Sequence, residues 1–172
     1  MVRYVRQKDY TSCGPIALIN ILKWIGVNVT YNNFIEMARG LCGHEPGHEG
    51  GTRDHGMMIA FRKLRISYSR RKNPTLAQID FHLDSGDIIL LDYTMGMNKR
   101  RVSSLEKHFV LIIERTPKMY TVVNGETKNT VGRQRRSTLE KMLSWDKDDH
   151  YAWFIHSKNK SSYTPNDNNI CF

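Results

Sequence analysis

The stretch "HFVLIIERTPKMYTVVN", residues 108–124, decides the fold. Two runs rich in branched and aromatic residues, His108 to Glu114 and Met119 to Asn124, flank a Thr116-Pro117-Lys118 turn. Runs of that type joined by a turn of that type predict two antiparallel strands. "DIILLDY" (Asp87 to Tyr93) ahead of them and "YAWFIHS" (Tyr151 to Ser157) behind them read as further strands.

The front of the chain has a different grammar. In "PIALINILKWIG", Pro15 suits a first helical turn, Gly26 suits a stop, and only Asn20 and Lys23 break the apolar surface. That pattern predicts a helix buried on most sides. "NNFIEMARG" predicts a second helix, entered through Asn32 or Asn33 and ended by Gly40, and "GTRDHGMMIAFRKLRI" a third, capped by Thr52 or Asp54. "TLAQIDFHLDSG" predicts a fourth, with Thr75 and Gln78 at capping-box spacing and Gly86 at its end. A last helix, "STLEKMLSW", carries the same spacing in Ser137 and Glu140. Helices first and antiparallel strands second imply an α+β fold, an N-terminal helical lobe packed on a C-terminal sheet lobe.

The 172 residues fit one domain, expected over 1–157, followed by a polar tail over 158–172. A net charge of +9 favours anionic partners, and nucleic acid or another polyanion is a minor expectation. The three cysteines, Cys13, Cys42 and Cys171, form no disulfide framework, so a reducing cytoplasm is expected. "MVRYVRQKDY" lacks an apolar signal core, and no run is long enough to cross a membrane.

Cys13 stands at the start of the most apolar helix. One reading makes it a small core residue; the other makes it a nucleophile. A thiol attacks as thiolate, and a helix N-terminus favours that form. Gly14 leaves room for a substrate backbone. A base must then take the proton, and a polar group must orient the base. Of the seven histidines, His108 alone opens a strand that returns to a polar residue, Asn124. With the turn near residues 116 and 117, Asn124 arrives close to the level of His108. Gln7, six residues before Cys13, can offer an amide N–H to an oxyanion, with the backbone N–H of Cys13 as second donor.

Gln7, Cys13 within "SCGP", His108 within "HFVLI" and Asn124 ending "YTVVN" resemble the papain-like cysteine peptidases. The nearest resemblance is to the family that processes bacteriocins with double-glycine leaders, and to its stand-alone relatives. "GGTRDHGMMIAFRKLRI" resembles that family's Gly-Thr segment and helix, and "TLAQIDFHLDSGDIILLDY" the helix, glycine and strand before the histidine strand. The resemblance runs over roughly residues 5–130. It implies a papain-like fold, Cys13 as nucleophile, His108 as base and acid, Asn124 as orienter and Gln7 as oxyanion donor. Gly14, Gly50, Gly51, Thr52, Lys107 and Phe109 form the expected substrate side. The family usually has aspartate then proline at the third position, whereas this chain has Asn124-Gly125; papain itself uses asparagine there. No transporter segment is read in the chain, so processing coupled to export is not expected.

The implied activity is cleavage or transfer of an acyl group from a peptide or isopeptide through a thioester, with no cofactor. The alternative is a binding protein that holds a protein partner, nucleic acid or anionic small molecule in the same cleft. "LCGHEPGHEGGTRDHG" offers Cys42, His44, His48 and His55, which are zinc-ligand types. Their spacing matches no metal motif, and a lid or specificity loop is the favoured reading; no metal is expected. Three basic runs, Arg70 to Lys72, Lys99 to Arg101 and Arg133 to Arg136, read as solvated loops unless they share a face.

Overall fold

The computed structural model describes residues 2–9, 11–45, 51–95, 106–125, 129–144 and 149–162. The buried helix is α1, Cys13–Ile25, and Gly26 ends it with a φ of 107°. Asn20, the polar break in its surface, accepts from the Val5 N–H at 2.7 Å and donates to the Val5 carbonyl at 3.1 Å. It thus acts as a strand partner for the N-terminal segment, which satisfies a fully buried amide.

Helix α2, Tyr31–Cys42, is capped by Thr30, and Asn33 completes the box by accepting from the Thr30 N–H. The sequence expectation ended this helix at Gly40. The helix instead runs on until Gly43 adopts the left-handed conformation (φ 57°) and closes it, while Gly40 sits exposed inside. Helix α3, Asp54–Lys63, follows with Arg53 at the cap position. Helix α4, Leu76–Asp84, has the expected Thr75–Gln78 box, and Gly86 turns the chain at φ 81°. Helix α5, Arg136–Leu143, begins before Ser137 and has no side-chain cap. Its entry is set by Arg136, whose N–H donates to the Lys118 carbonyl and whose guanidinium grips Asp80 at 2.6 Å.

Among the described residues there are six strands, β1 (Tyr68–Lys72), β2 (Ile88–Met95), β3 (Glu106–Arg115), β4 (Met119–Val123), β5 (Val131–Arg135) and β6 (Tyr151–Ile155). They form one antiparallel sheet in the order β1-β6-β2-β3-β4-β5. Strands β1 and β5 were not expected. Both are short, arginine-rich edge strands whose polar sequence hides the strand period.

Alternation along the strands splits the core in two. Ile88, Leu90, Phe109, Leu111, Val123 and Trp153 pack with α1, α2 and α3 on one face. Ile89, Leu91, Val110, Ile112, Tyr120 and Phe154 pack with Ile79 of α4 and Leu139 of α5 on the other. The α+β expectation holds, and the sheet is covered on both faces rather than one. Beyond β6, the short helix α6, Asn159–Ser162, stays attached. Buried Asn159 exchanges hydrogen bonds with the backbone of Ser67, and Lys160 lies 4.1 Å above the Trp24 ring. The packed part of the chain therefore passes residue 157, where the sequence expectation placed its end; residues 163–172 lie outside the described set.

Candidate active site

Cys13 is the first residue of α1, so its N–H belongs to a turn whose amides have no intrahelical acceptor. Ser12 precedes it, fully buried, and makes no cap of its own. Asp9 supplies the cap. Its Oδ1 accepts from the N–H groups of Thr11 and Ser12 at 3.0 and 2.8 Å, and its Oδ2 from the Ser12 hydroxyl at 2.8 Å. Arg39 of α2 closes the cluster, donating to Asp9 at 2.8 Å and to Ser12 Oγ at 3.1 Å. Burial works to raise the Asp9 carboxyl pKa, but the hydrogen bonds from Ser12 and Thr11 and the Arg39 charge together hold it below the usual range. Sequence reasoning missed Asp9 and Arg39. The signal for Asp9 was available: an aspartate two and three residues ahead of amides that need acceptors.

On the sheet side, His108 is 3% exposed and its Nε2 stands 2.9 Å from Asn124 Oδ1. An amide oxygen only accepts, so Nε2 carries the hydrogen and donates, and the basic lone pair falls on Nδ1. Strands β3 and β4 pair in register at Leu111–Val123 and Ile112–Val122, after a bulge that leaves Ile113 out. Extending that register by one residue sets Asn124 opposite Val110, on the same face as His108 and diagonal to it. Asn124 thus arrives close to the level of His108, as the turn position implied, and the bond between them runs along the diagonal.

Gly125 joins the two sides. Its carbonyl accepts from the Gln7 N–H at 2.9 Å. A Cβ on it would lie 3.0 Å from Cγ2 of Ile16, one turn past Cys13, and 3.3 Å from Gln7 Cβ. The glycine after Asn124 sits at a close approach as well as in a turn. Gln7 is 6% exposed, and neither polar atom of its side chain has a hydrogen-bond partner among the described residues. Gly125 thus brings Gln7 and Ile16 of α1 beside the residue that bonds His108.

The expected substrate side is only partly assembled. A Cβ on Gly14 would meet Thr52 Cβ at 2.5 Å, so the room foreseen for a substrate backbone is taken by Thr52. Gly51, next to Thr52, accepts from the Glu45 N–H at 3.1 Å in an isolated bridge. Gly50 and His48 lie outside the described residues. Lys107 is on β3, opposite Thr94. Phe109 does not face a cleft: it is 5% exposed, with its ring 5.8 Å from that of Trp153 in the core.

The thiol and histidines weighed as zinc ligands do not assemble among the described residues. Cys42 Sγ is buried 3.6 Å from Met57 Sδ, where burial and the neighbouring Cys13 push its pKa up to about 12. His44 lies 3.4 Å from Thr11 Oγ1; burial and Arg39 lower its pKa. His55 is exposed on α3. The two described basic runs sit on β1 and β5, opposite edges of the sheet and roughly 24 Å apart at strand spacing. Arg70, Lys72 and Arg136 are each paired with a carboxylate, of Asp54, Asp149 and Asp80. Lys99 to Arg101 lie outside the described residues.

No family model matches the chain, and no curated protein does. Solved structures do. The peptidase domain of Streptococcus ComA, a bifunctional ABC transporter involved in quorum sensing, superposes with a TM-score of 0.65 at 16% identity, covering 91% of this chain and 99% of that one. A putative C39-like peptidase from Bacillus anthracis gives 0.62 at 12% identity, covering 88% and 94%. A double-glycine-motif protease from an AMS/PCAT transporter, solved with a leader peptide, gives 0.58 at 12% identity, covering 90% and 92%. The fold is that of papain-like cysteine peptidase domains, as the sequence resemblance implied. Among the described residues no helix is long and apolar enough to cross a membrane.

Proposed function

We propose that the chain is a papain-like thiol enzyme that cleaves, or transfers, an acyl group from a peptide or isopeptide through a thioester on Cys13. The observation that carries this reading is the His108–Asn124 bond, which leaves Nδ1 of a buried imidazole as the base. In the proposed reaction His108 takes the thiol proton on Nδ1, and the Cys13 sulfur attacks the substrate carbonyl. The oxyanion is held by the Gln7 amide N–H and the Cys13 N–H. Collapse expels the amine, which receives the proton from His108 and leaves the thioester. Water or an acceptor amine then attacks that thioester, giving its proton to His108, and the thiol leaves with a proton returned from it.

The unpartnered Gln7 amide supports the oxyanion role. A buried amide left without a partner costs about 1–3 kcal/mol, a penalty relieved once an oxyanion arrives. A peptide substrate is supported by the related fold solved with a leader peptide bound. A reducing, cytoplasmic setting suits a nucleophile that must stay a thiol.

The test is alkylation mapped by mass spectrometry. Cys13 is expected to react with iodoacetamide at neutral pH far faster than Cys42, and His108→Ala to remove the advantage. Equal, slow reaction of both thiols in the wild type would sink the catalytic reading. If Cys13→Ala keeps full biological activity, the chain is a binding protein that uses the cleft alone.

A further inference from the structure

We propose that His82, Asp87 and His156 form a binding site for one divalent transition-metal ion of the zinc type, independent of the cleft and of any acyl-transfer chemistry.

The three residues come together through the backbone. His82 lies in the last turns of α4; Gly86, in the left-handed region, folds the chain back so that the Asp87 N–H donates to the His82 carbonyl at 3.0 Å. Strands β2 and β6 pair at Ile88–Ile155, and one further step of that register sets Asp87 opposite His156. A helix end and two adjacent strand ends thus present three ligand types before any ion arrives.

The side chains converge on one atom. Nδ1 of His82 lies 2.8 Å from Asp87 Oδ2, and Nδ1 of His156 lies 3.2 Å from the same oxygen. One ligand atom from each residue falls within 4.8 Å of the others, and these are the described residues that make such a group. At zinc bond lengths of about 2.0–2.2 Å, tetrahedral ligands stand roughly 3.3–3.5 Å apart, so the His82–Asp87 edge would open by about half an ångström or a little more and the His156–Asp87 edge by about 0.1–0.3 Å. Each ring then carries its proton on Nε2 and gives its Nδ1 lone pair to the ion.

The surroundings orient the ligands as a metal site requires. The second carboxylate oxygen accepts from the Ser157 N–H at 2.8 Å. The His82 ring stacks on Phe154 at 3.9 Å and 17°. Two imidazoles and one carboxylate suit zinc or cobalt(II) rather than calcium or magnesium. The side chains are 21%, 8% and 26% exposed, which leaves a fourth position to water. Asp87 is six residues before Tyr93, the strand partner of His108, so the site lies about 20 Å along β2 from the cleft. The ion would clamp α4, β2 and β6.

The test uses the full chain stripped with chelator. Cobalt(II) is expected to bind one to one with visible d–d absorption, to be displaced by zinc, and zinc is expected to raise the melting temperature. His82→Gln and His156→Gln keep a hydrogen-bond donor for Asp87 but lose the ring nitrogen; each is expected to weaken cobalt binding at least tenfold, while Cys13→Ala leaves it unchanged. Failure to bind, binding indifferent to both Gln variants, or a thiolate charge-transfer band that vanishes in Cys13→Ala would each overturn the site. Should a Gln variant not fold, imidazole nitrogen NMR of the wild type decides: zinc must shift the Nδ1 resonances of two histidines, and movement of none or of His108 overturns the assignment.

Discussion

His108 and Asn124 reach each other because Ile113 is skipped in the pairing of β3 with β4. Were Ile113 paired in the ladder, the register would run on unshifted, Asn124 would stand opposite Leu111, and its side chain would leave by the other face. The orienting bond therefore depends on Ile113, five positions after the histidine, staying outside the ladder.

Removing the acceptor tests that bond directly. Asn124→Ala is expected to lower thioester formation by about 10²-fold or more, whereas Asn124→Asp, which keeps an oxygen acceptor, stays within about tenfold. Deletion of Ile113 removes only the bulged residue and keeps Ile112 opposite Val122, so acylation is expected to stay within about tenfold of the wild type. Single-turnover acylation of Cys13 measures all three.

Gln7 separates chemistry from stability. Gln7→Ala removes a buried amide with no partner among the described residues, so the melting temperature is expected to hold or rise. Acylation should fall by about 10²–10³-fold, the effect of losing one oxyanion donor. Alkylation by iodoacetamide passes through no oxyanion and should be unaffected. A parallel fall in both rates would assign Gln7 a structural role.

Gly125→Ala forces a Cβ to 3.0 Å from Ile16 Cγ2. Overpacking of this kind costs about 1–3 kcal/mol. Ile16→Ala alone should cost about 2–5 kcal/mol as a core cavity. The double variant is expected to lose less than the sum, because the second change empties the space the first needs. Chemical denaturation of the four proteins gives the coupling.

Acid exposes the cap of α1. The Asp9 carboxyl has a folded pKa below its unfolded value. Its stabilisation is therefore complete above about pH 4 and is lost as pH falls through the lowered folded value. Asp9→Asn is expected to flatten the stability profile in that acidic window and to leave the slope at neutral pH unchanged. Denaturation curves at a series of pH values check it.

Local signals in the sequence were legible wherever one turn or one helix face sufficed. The α1 pattern, the Thr75–Gln78 box and the Pro117 turn each involve a few adjacent residues, and each appears in the structure. Strands β1 and β5 escaped because an edge strand can be polar on every side, as Arg70, Arg71, Arg133 and Arg135 are. The Ser137–Glu140 box did not form because Arg136, held by Asp80 and Lys118, starts the helix earlier. At the site, residue types pointed to Gln7, Cys13, His108 and Asn124, but no local pattern encodes a bulge or an approach of Gly125 to Ile16. Phe109 was misjudged for a related reason: strand alternation sends the neighbour of His108 into the core. The His82, Asp87 and His156 group is invisible in sequence because the third residue lies 69 positions after the second and joins it only through sheet register.

The sheet order has a consequence for how the chain is completed. Strand β6 inserts between β2 and β1, and among the described residues β1 has no other strand partner. During synthesis the thiol helix and its base can exist while the sheet still lacks an inner strand, and β1 waits unpaired for some 80 residues, about 4–16 s at ribosomal speed. The last strand is a keystone: a nascent or truncated chain ending before residue 151 is two strands short, not one, and exposes the flank of β2 to any extended peptide nearby.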